Sequence, residues 1–245
     1  MTAGQVAVVT GGARGLGEHI ARRLRTGGYR VAVADLDGAA ATALATTLGG
    51  DARGYPVDVS DRAALERLLA DVLADFGDVH VLVNNAARTQ AKPLLEITPD
   101  ELAAVLAVNL GGTFHACQVF GAHLAERGYG RIVNLASLAG QNGGTATGGH
   151  YASSKGAVLS ATKVFARELA SRGVTVNAVS PGPLDTPMVR EIVGEENLDA
   201  FAGTIPVGRL GDPAFIAEMV ALLASPGAAS VTGACWDANG GLHLR

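Results

Sequence analysis

Aromatic residues are scarce in this chain, 4% of 245 residues, with one tryptophan and four tyrosines. Each tyrosine therefore raises a question, and Tyr151 raises the sharpest, because Lys155 follows it by one helical turn in YASSK. Alone that pair decides nothing, since tyrosine and lysine at this spacing stand on many solvated helix faces. Charge is also sparse, at 17%, with a formal net charge of -4. No basic block is present, which removes the electrostatic footprint of a nucleic-acid binder. Low charge combined with 48% hydrophobic residues excludes a disordered chain. Cysteine is limited to Cys117 and Cys235, too far apart to form a motif. Both read as reduced core thiols of a cytosolic protein. The N-terminus lacks the basic and apolar regions of a signal peptide, and no uninterrupted apolar run approaches the ~20 residues of a membrane span. The expectation is a cytoplasmic protein with no membrane partner. No metal is expected either, because the histidines form no ligand motif, and His115 and His123 share a predicted helix without nearby acids.

The chain is the right length for one domain, and such a domain buries roughly 70–75% of its unfolded surface. Short β-branched runs alternate with amphipathic stretches. Residues 5–10, 30–35, 79–84, 131–136 and 174–179 read as buried strands, and 53–59 as a weaker one. Between 61 and 76, Leu65, Leu68, Leu69, Val72, Leu73 and Phe76 share one helical face. Thr98-Pro99-Asp100-Glu101 is a helix start, with a capping threonine, a first-turn proline and acids at the positive end. That helix is predicted to run to about Glu126. The alternation predicts an α/β fold over residues 1–245: a single-domain, Rossmann-type, doubly wound parallel sheet with helices on both faces. Crossovers should be right-handed, and ligands should bind beyond the carboxyl ends of the strands, where the strand order switches.

Chemistry does follow the strands. TGGARGLG (10–17) places Gly11, Gly15 and Gly17 between a strand and a helix. Glycine there allows a tight turn and lets backbone N–H groups approach a pyrophosphate, which the positive helix end also attracts. The second strand ends at Asp35, whose carboxylate can accept hydrogen bonds from an adenosine ribose. It would also repel a 2′-phosphate, by about 4 kcal/mol at ~4 Å and an effective dielectric of ~20. That favours NAD, and the neighbouring Leu36-Asp37 adds no positive charge. Arg14 argues for NADP, because an arginine in this loop could reach a 2′-phosphate; otherwise it is a solvated loop charge. Asp58-Val59 follows the third strand, where a carboxylate could accept from an adenine amino group, cap the helix over 61–76, or both. NNAA (84–87) follows the fourth, and its small residues suit a backbone lying against a flat ligand.

Ser137 ends the fifth strand, ahead of the glycine-rich GQNGGTATGG (140–149) and Tyr151. On a helix, Tyr151 and Lys155 share a face. Asn109 sits mid-helix in AVNLGG, an unfavourable place unless its amide is used. With these motifs in this order, together with PGPLDTPM (181–188), the whole chain resembles the classical short-chain dehydrogenase/reductase family. The resemblance implies that Tyr151 is the general acid/base and that Ser137 bonds the substrate oxygen. It implies that Lys155 holds the nicotinamide ribose, and that Asn109 supports a water relaying protons from Lys155. A free phenol titrates near 10, and a cation at ~4 Å lowers it by up to about 3 units before desolvation opposes. The resemblance assigns cofactor contact to Gly11, Arg14, Gly15, Leu16, Gly17, Asp35, Leu36, Asp58, Val59, Asn85, Ala86, Tyr151, Lys155, Pro181, Gly182, Leu184 and Thr186. Residues 187–205 match a mobile substrate lid, and VTG (231–233) and NGG (239–241) also fit. The family's usual NNAG reads NNAA here, with Ala87 in place of glycine. The 14-residue step from Ser137 to Tyr151 is slightly longer than the commonest family spacing.

The implied activity is NAD-dependent interconversion of a secondary alcohol and its ketone, in a homotetramer or homodimer with the long helices after the fourth and fifth strands at one interface. The alternative is an NADPH-dependent 3-oxoacyl-thioester reductase. A non-catalytic nucleotide sensor is disfavoured, because Asn109, Ser137, Tyr151 and Lys155 are all present. Substrate contacts are expected from 87–95, 138–150 and 183–205. Arg88 could meet an anionic substrate, though single surface charges are usually solvated. His150 either lines the pocket or faces solvent. Glu191, Glu195 and Glu196 read as a solvated helix face, and Trp236 as core or subunit-interface packing.

Overall fold

The computed structural model describes residues 2, 4–144, 147–186, 189–190 and 193–244. Strands β1 (Val6–Thr10), β2 (Arg30–Asp35), β3 (Ala52–Pro56), β4 (Val81–Asn84), β5 (Gly130–Leu135), β6 (Val174–Pro181) and β7 (Cys235–Ala238) form one sheet. Their order is β3-β2-β1-β4-β5-β6-β7, and every pairing is parallel. The chain winds outward from β1 to β3, then returns to β4 on β1's other side. The switch point therefore lies between Thr10 and Asn84, which are register partners.

The period-2 geometry of a strand divides the core into two layers. Val6 and Val8 face one layer with Leu82, Ile132 and Val176. Helices α3 (Arg62–Phe76), α4 (Pro99–Leu106), α5 (Thr113–Glu126) and α7 (Gly149–Leu169) lie on that side, contributing Leu65, Phe120, Leu124, Phe165 and Leu169 among others. Ala7 and Val9 face the opposite layer with Val33, Val83 and Val179. There α1 (Gly15–Thr26), α2 (Gly38–Leu48) and α9 (Pro213–Ala224) bring Ile20, Leu24, Leu44, Ile216 and Leu223. Two short helices, α6 (Ala139–Asn142) and α8 (Leu198–Gly203), sit in the loops after β5 and β6.

The helix start at Thr98 is a full capping box: Glu101 N–H donates to Thr98 Oγ1, and Thr98 N–H donates to Glu101 Oε2. The predicted run to Glu126 is continuous but not uniform, because Ala107–Gly112 is a π-helical turn between α4 and α5. Gly111 and Gly112 are weak helix formers, and a Cβ on Gly112 would stand 2.7 Å from Val59 Cγ2. The whole stretch, Pro99–Glu126, has the length and hydropathy to cross a membrane. It instead lays Phe120 and Leu124 into the core at 0% exposure. The cap of α3 is Asp61, whose side chain accepts from Ala63 N–H. Asp58 does not cap that helix; its Oδ1 accepts from Ser60 N–H and Oγ–H.

Strand β7 has no counterpart in the sequence reading. It is four residues long, lacks β-branched residues, and is ordered by the open edge of β6, with Ala178 paired to Cys235 and Pro181 to Ala238. Trp236 lies in it and packs on the second core layer. Pro56 ends the edge strand β3, where a missing N–H costs no ladder bond. Replacing Phe120 by alanine should cost about 3–5 kcal/mol, read as a lower denaturant midpoint at unchanged slope.

Candidate active site

The turn after β1 needs its glycines for different reasons. A Cβ on Gly11 would stand 2.7 Å from Ala86 Cα, and one on Gly17 would stand 2.0 Å from Gly11 O. Both positions are closed by neighbouring backbone. Gly15 has φ +55° and nothing within 4 Å of an added Cβ. It is held by conformation alone, and the space before it is open, as a cradle for an anion requires. Asn85 ties the end of β4 to this turn: its Nδ2 donates to Thr10 O at 3.1 Å and Gly11 O at 2.8 Å. Its N–H donates to Thr10 Oγ1 at 3.1 Å, and Ala86 N–H reaches the same hydroxyl at 3.3 Å.

Asp35 is 7% exposed and braces the turn from the β2 side. Its Oδ2 accepts from Ala13 N–H at 3.0 Å and its Oδ1 from Asp37 N–H at 3.1 Å. Each oxygen keeps a further lone pair, so the carboxylate can still accept from a ribose. Arg14 is exposed at the N-cap position of α1 and makes no side-chain cap bond. Leu36 is 76% exposed, an apolar surface next to Asp35. Leu16 packs on the second core layer. Val59 is buried against Gly112, and Asp58 is exposed beside it.

Asn109 lies in the π-helical turn at 0% exposure, and both ends of its amide are hydrogen-bonded. Oδ1 accepts from Arg88 N–H at 2.7 Å; Nδ2 donates to Arg88 O and to Ser154 Oγ, both at 2.9 Å. Ser154 Oγ in turn donates to Tyr151 O at 2.7 Å. The side chain thus clamps the segment following β4 onto the first turns of α7. Ser154, inside YASSK, is the member of this group that sequence reasoning missed, although its spacing from Tyr151 put it on the same helix. Arg88 itself is exposed, its backbone held on both sides. Ala87 is exposed, and no non-glycine residue among those described has positive φ, so alanine is tolerated there without strain.

The Ser137 hydroxyl, which accepts from Ala139 N–H, lies beside the Tyr151 phenol. Burial pushes the phenol up from its ordinary value, and the Ser137 hydroxyl opposes that shift. Lys155 Nζ lies 5.7 Å from the Tyr151 ring centroid and donates to the Leu135 carbonyl at the end of β5. It is 3% exposed, and burial lowers it to about 8. Burial is the largest influence on both groups, raising the phenol and lowering the ammonium. An ammonium carries three N–H donors, and Leu135 takes one. The others suit ribose hydroxyls, so the residues here fit a nicotinamide nucleotide as well as the glycine turn does.

Beyond β6, a Cβ on Gly182 would stand 2.8 Å from Asn239 Cα, which packs the NGG turn against the PG turn. Leu184 is 8% exposed and bridges to Gly211, and Thr186 N–H donates to Leu184 O. Arg190 ion-pairs with Asp185 and Glu195. Glu195 and Glu196 are exposed, as a solvated face requires. Pro187, Met188 and Glu191 lie outside the described residues. His150 is buried, at 2% exposure. His123, read as having no acid nearby, meets Asp78 Oδ1 at 3.3 Å, an acid brought by the approach to β4. Among the described residues no three His, Cys, Asp or Glu gather as metal ligands.

Residues 11–243 match a family model described as enoyl-(acyl carrier protein) reductase. The chain is 37% identical over 241 residues to the 3-oxoacyl-[acyl-carrier-protein] reductase of Vibrio cholerae, covering 98% of each chain. It is 41% identical over 239 residues to the acetoacetyl-CoA reductase of Shinella zoogloeoides, covering 97% of this chain and 98% of the other. It is also 41% identical over 248 residues to the 4-formylbenzenesulfonate dehydrogenase of Comamonas testosteroni, covering 98% of both.

Lowering Lys155 from 10.5 to about 8 means that its buried charge costs about 3 kcal/mol below pH 8. The folded state binds fewer protons than the unfolded state between about 8 and 10.5, so this cost fades as pH rises through that window. Lys155→Met should therefore unfold up to ~3 kcal/mol less readily than the wild type at pH 7, with the gap closing toward pH 10.5. Denaturant titrations at several pH values check it.

Proposed function

Because the chain belongs to the short-chain dehydrogenase/reductase family and is an oxidoreductase of that family with a nicotinamide cofactor, we propose that it interconverts a secondary alcohol and its ketone. Tyr151 moves the proton, and NAD is preferred over NADP. The observation that carries the reading is a buried Lys155 one turn along α7 from Tyr151, its Nζ 5.7 Å from the Tyr151 ring and bonded to the end of β5, where Ser137 also lies. The cofactor, when bound, supplies or takes the hydride. In reduction the Tyr151 phenol gives its proton to the oxygen of the substrate; in oxidation the phenolate takes it back. A phenol held protonated by burial is ready for reduction at neutral pH. Ser137 holds the same substrate oxygen and aims it at the phenol. The Lys155 ammonium holds the ribose and, with its charge, makes phenolate accessible for oxidation. Asn109 fixes Arg88 and Ser154 through its amide and supports the water that relays protons from Lys155.

NAD preference rests on Asp35. Its carboxylate is fixed in place by Ala13 and Asp37 N–H groups, so it cannot swing away from a 2′-phosphate. The second reading is an NADPH-dependent 3-oxoacyl-thioester reductase. The exposed guanidinium of Arg14 favours it, as do the names of two of the relatives. Also part of the proposal are the lid over 187–205, a cytoplasmic location, and a homodimer or homotetramer. Leu102 and Val164, on the long helices after β4 and β5, are 39% and 58% exposed and available to a partner copy.

Tyr151→Phe should lose roughly 10²–10⁴-fold in turnover, the usual worth of general acid–base catalysis, while cofactor titration stays unchanged. Full activity in that variant would end the mechanism. Wild-type kcat/KM should favour NAD, and Asp35→Asn should move the NAD/NADP ratio toward NADP by about tenfold or more, since ~1.4 kcal/mol of lost repulsion is a factor of ten. A wild type that prefers NADP would transfer the assignment to the second reading.

A further inference from the structure

On the reading above Ser137 holds the substrate oxygen, and α6, the short helix that follows it, decides where its hydroxyl points. Ser137 Oγ accepts from Ala139 N–H at 3.1 Å, and Ser137 O accepts from Gly140 N–H at 2.9 Å. A hydroxyl carries one proton and two lone pairs. The Ala139 bond occupies a lone pair, so the directions left to the O–H are set by the placement of α6. A helix of four residues cannot hold that placement by its own hydrogen bonds. It has to be gripped from outside.

Two of the grips are backbone. Leu138 N–H donates to Pro181 O at 2.9 Å, at the end of β6. A Cβ on Gly140 would stand 2.5 Å from the Lys155 carbonyl carbon, which sets α6 on α7. The third grip is a pair of side chains. Gln141 Nε2 donates to Asp237 Oδ1 at 2.7 Å, from α6 across to β7. That length is typical of a hydrogen bond to a charged acceptor. Cys235 Sγ–H points to the same oxygen at 3.4 Å. Gln141 and Asp237 are both half-buried. Gln141 Oε1 is buried with no partner, so the carboxylate fixes the amide from its nitrogen end. The sheet in turn fixes Asp237, the register partner of Ser180, one residue before the Pro181 that receives Leu138. The same two strands thus hold the base of α6 through the backbone and its body through a carboxylate.

We propose that Asp237 and Gln141 are a positioning pair for the reaction: the β7 carboxylate holds α6 through the Gln141 amide, and α6 sets the direction of the Ser137 hydroxyl. Neither residue touches the substrate. Lys155 is held by the Leu135 carbonyl independently of α6, so loosening α6 leaves the ribose contact and the Tyr151 helix in place. The loss falls where the Ser137 hydrogen bond strengthens, on the charge that develops on the reacting oxygen in the transition state. It therefore appears mainly in kcat, with cofactor affinity kept. This rests on the oxidoreductase reading above and adds the last strand of the sheet to its machinery.

The test measures kcat, KM and cofactor titration for the full chain on a secondary alcohol or ketone that the wild type turns over. Asp237→Leu removes the acceptor and should lower kcat about tenfold or more, since an ångström of misplacement can cost a hundredfold, with cofactor titration unchanged. Gln141→Glu sets two carboxylates face to face and should fall at least as far. Asp237→Asn keeps an acceptor oxygen and should retain most of the wild-type kcat. Adding it to Gln141→Glu reverses donor and acceptor across the same gap and should restore most of what Gln141→Glu lost. In a Ser137→Ala background Asp237→Leu should cost little more, because no hydroxyl is left to aim. Wild-type kcat in Asp237→Leu or Gln141→Glu overturns the proposal, and so does an equal loss with and without Ser137. Should Asp237→Leu fail to fold, the Gln141→Glu loss and its rescue decide, and absence of rescue overturns it. Wild type that binds cofactor but turns over no ketone or alcohol would instead sink the oxidoreductase reading itself.

Discussion

A buried ammonium organises this rim. Lys155 is dehydrated by the core around it and bonded to the last carbonyl of β5. Burial of that kind is unfavourable unless the donor is satisfied, so α7 is pinned to the end of β5 at one place. The backbone records the same constraint: a Cβ on Gly140 would stand 2.5 Å from the Lys155 carbonyl carbon, so α6 lies directly on α7. Below the rim, Asn84 donates to Asn134 and Asn134 to Thr162, each at 2.9 Å. That chain of amides joins β4, β5 and α7 inside a largely aliphatic layer. It is buried polar structure, with Asn84 4%, Asn134 0% and Thr162 1% exposed.

The second support is a helix made locally imperfect. The π-helical turn at Ala107–Gly112 aims the Asn109 amide across to Arg88 and Ser154. A regular helix would have kept the asparagine among its own turns, where it is disfavoured. Here its hydrogen bonds stabilise the segment after β4, which has no secondary structure of its own as far as Pro93. Lys92 bonds Glu101 at 2.7 Å and extends that support to the start of α4. The loop after β4 is thereby held to the same frame as Tyr151.

Asp35 combines two tasks that composition alone would separate. It closes the glycine turn through Ala13 N–H, and it places negative charge where the second strand ends. Removing the charge therefore also loosens the turn, and a cofactor switch at this site needs a residue that still accepts from Ala13. Arg14 carries no comparable structural duty, which leaves it free for ligand contact.

The sheet, its helices and most of the site were legible in the chain because strong local signals agree with one another. β-branched runs mark five strands within one or two residues of their starts, and the glycine turn, Asn109, Ser137 and YASSK lie where strand ends must deliver them. Strand β7 was not legible: Cys235–Ala238 has no β-branched residue and borrows its order from the edge of β6. The π-helical turn was not legible either, since its cause is the close approach of Val59 to Gly112 from another element. The charge balance at Tyr151 depends on dehydration, which is a property of packing and not of spacing. His150 was undecided until the fold buried its ring and left Nε2 without a partner. Sequence alone determined which chemical groups are present and their order along the rim, because backbone periodicity is a local property. Tertiary structure alone decided which of them are dry, which are already bonded and which still have a hydrogen bond to give, because water exclusion requires the whole fold.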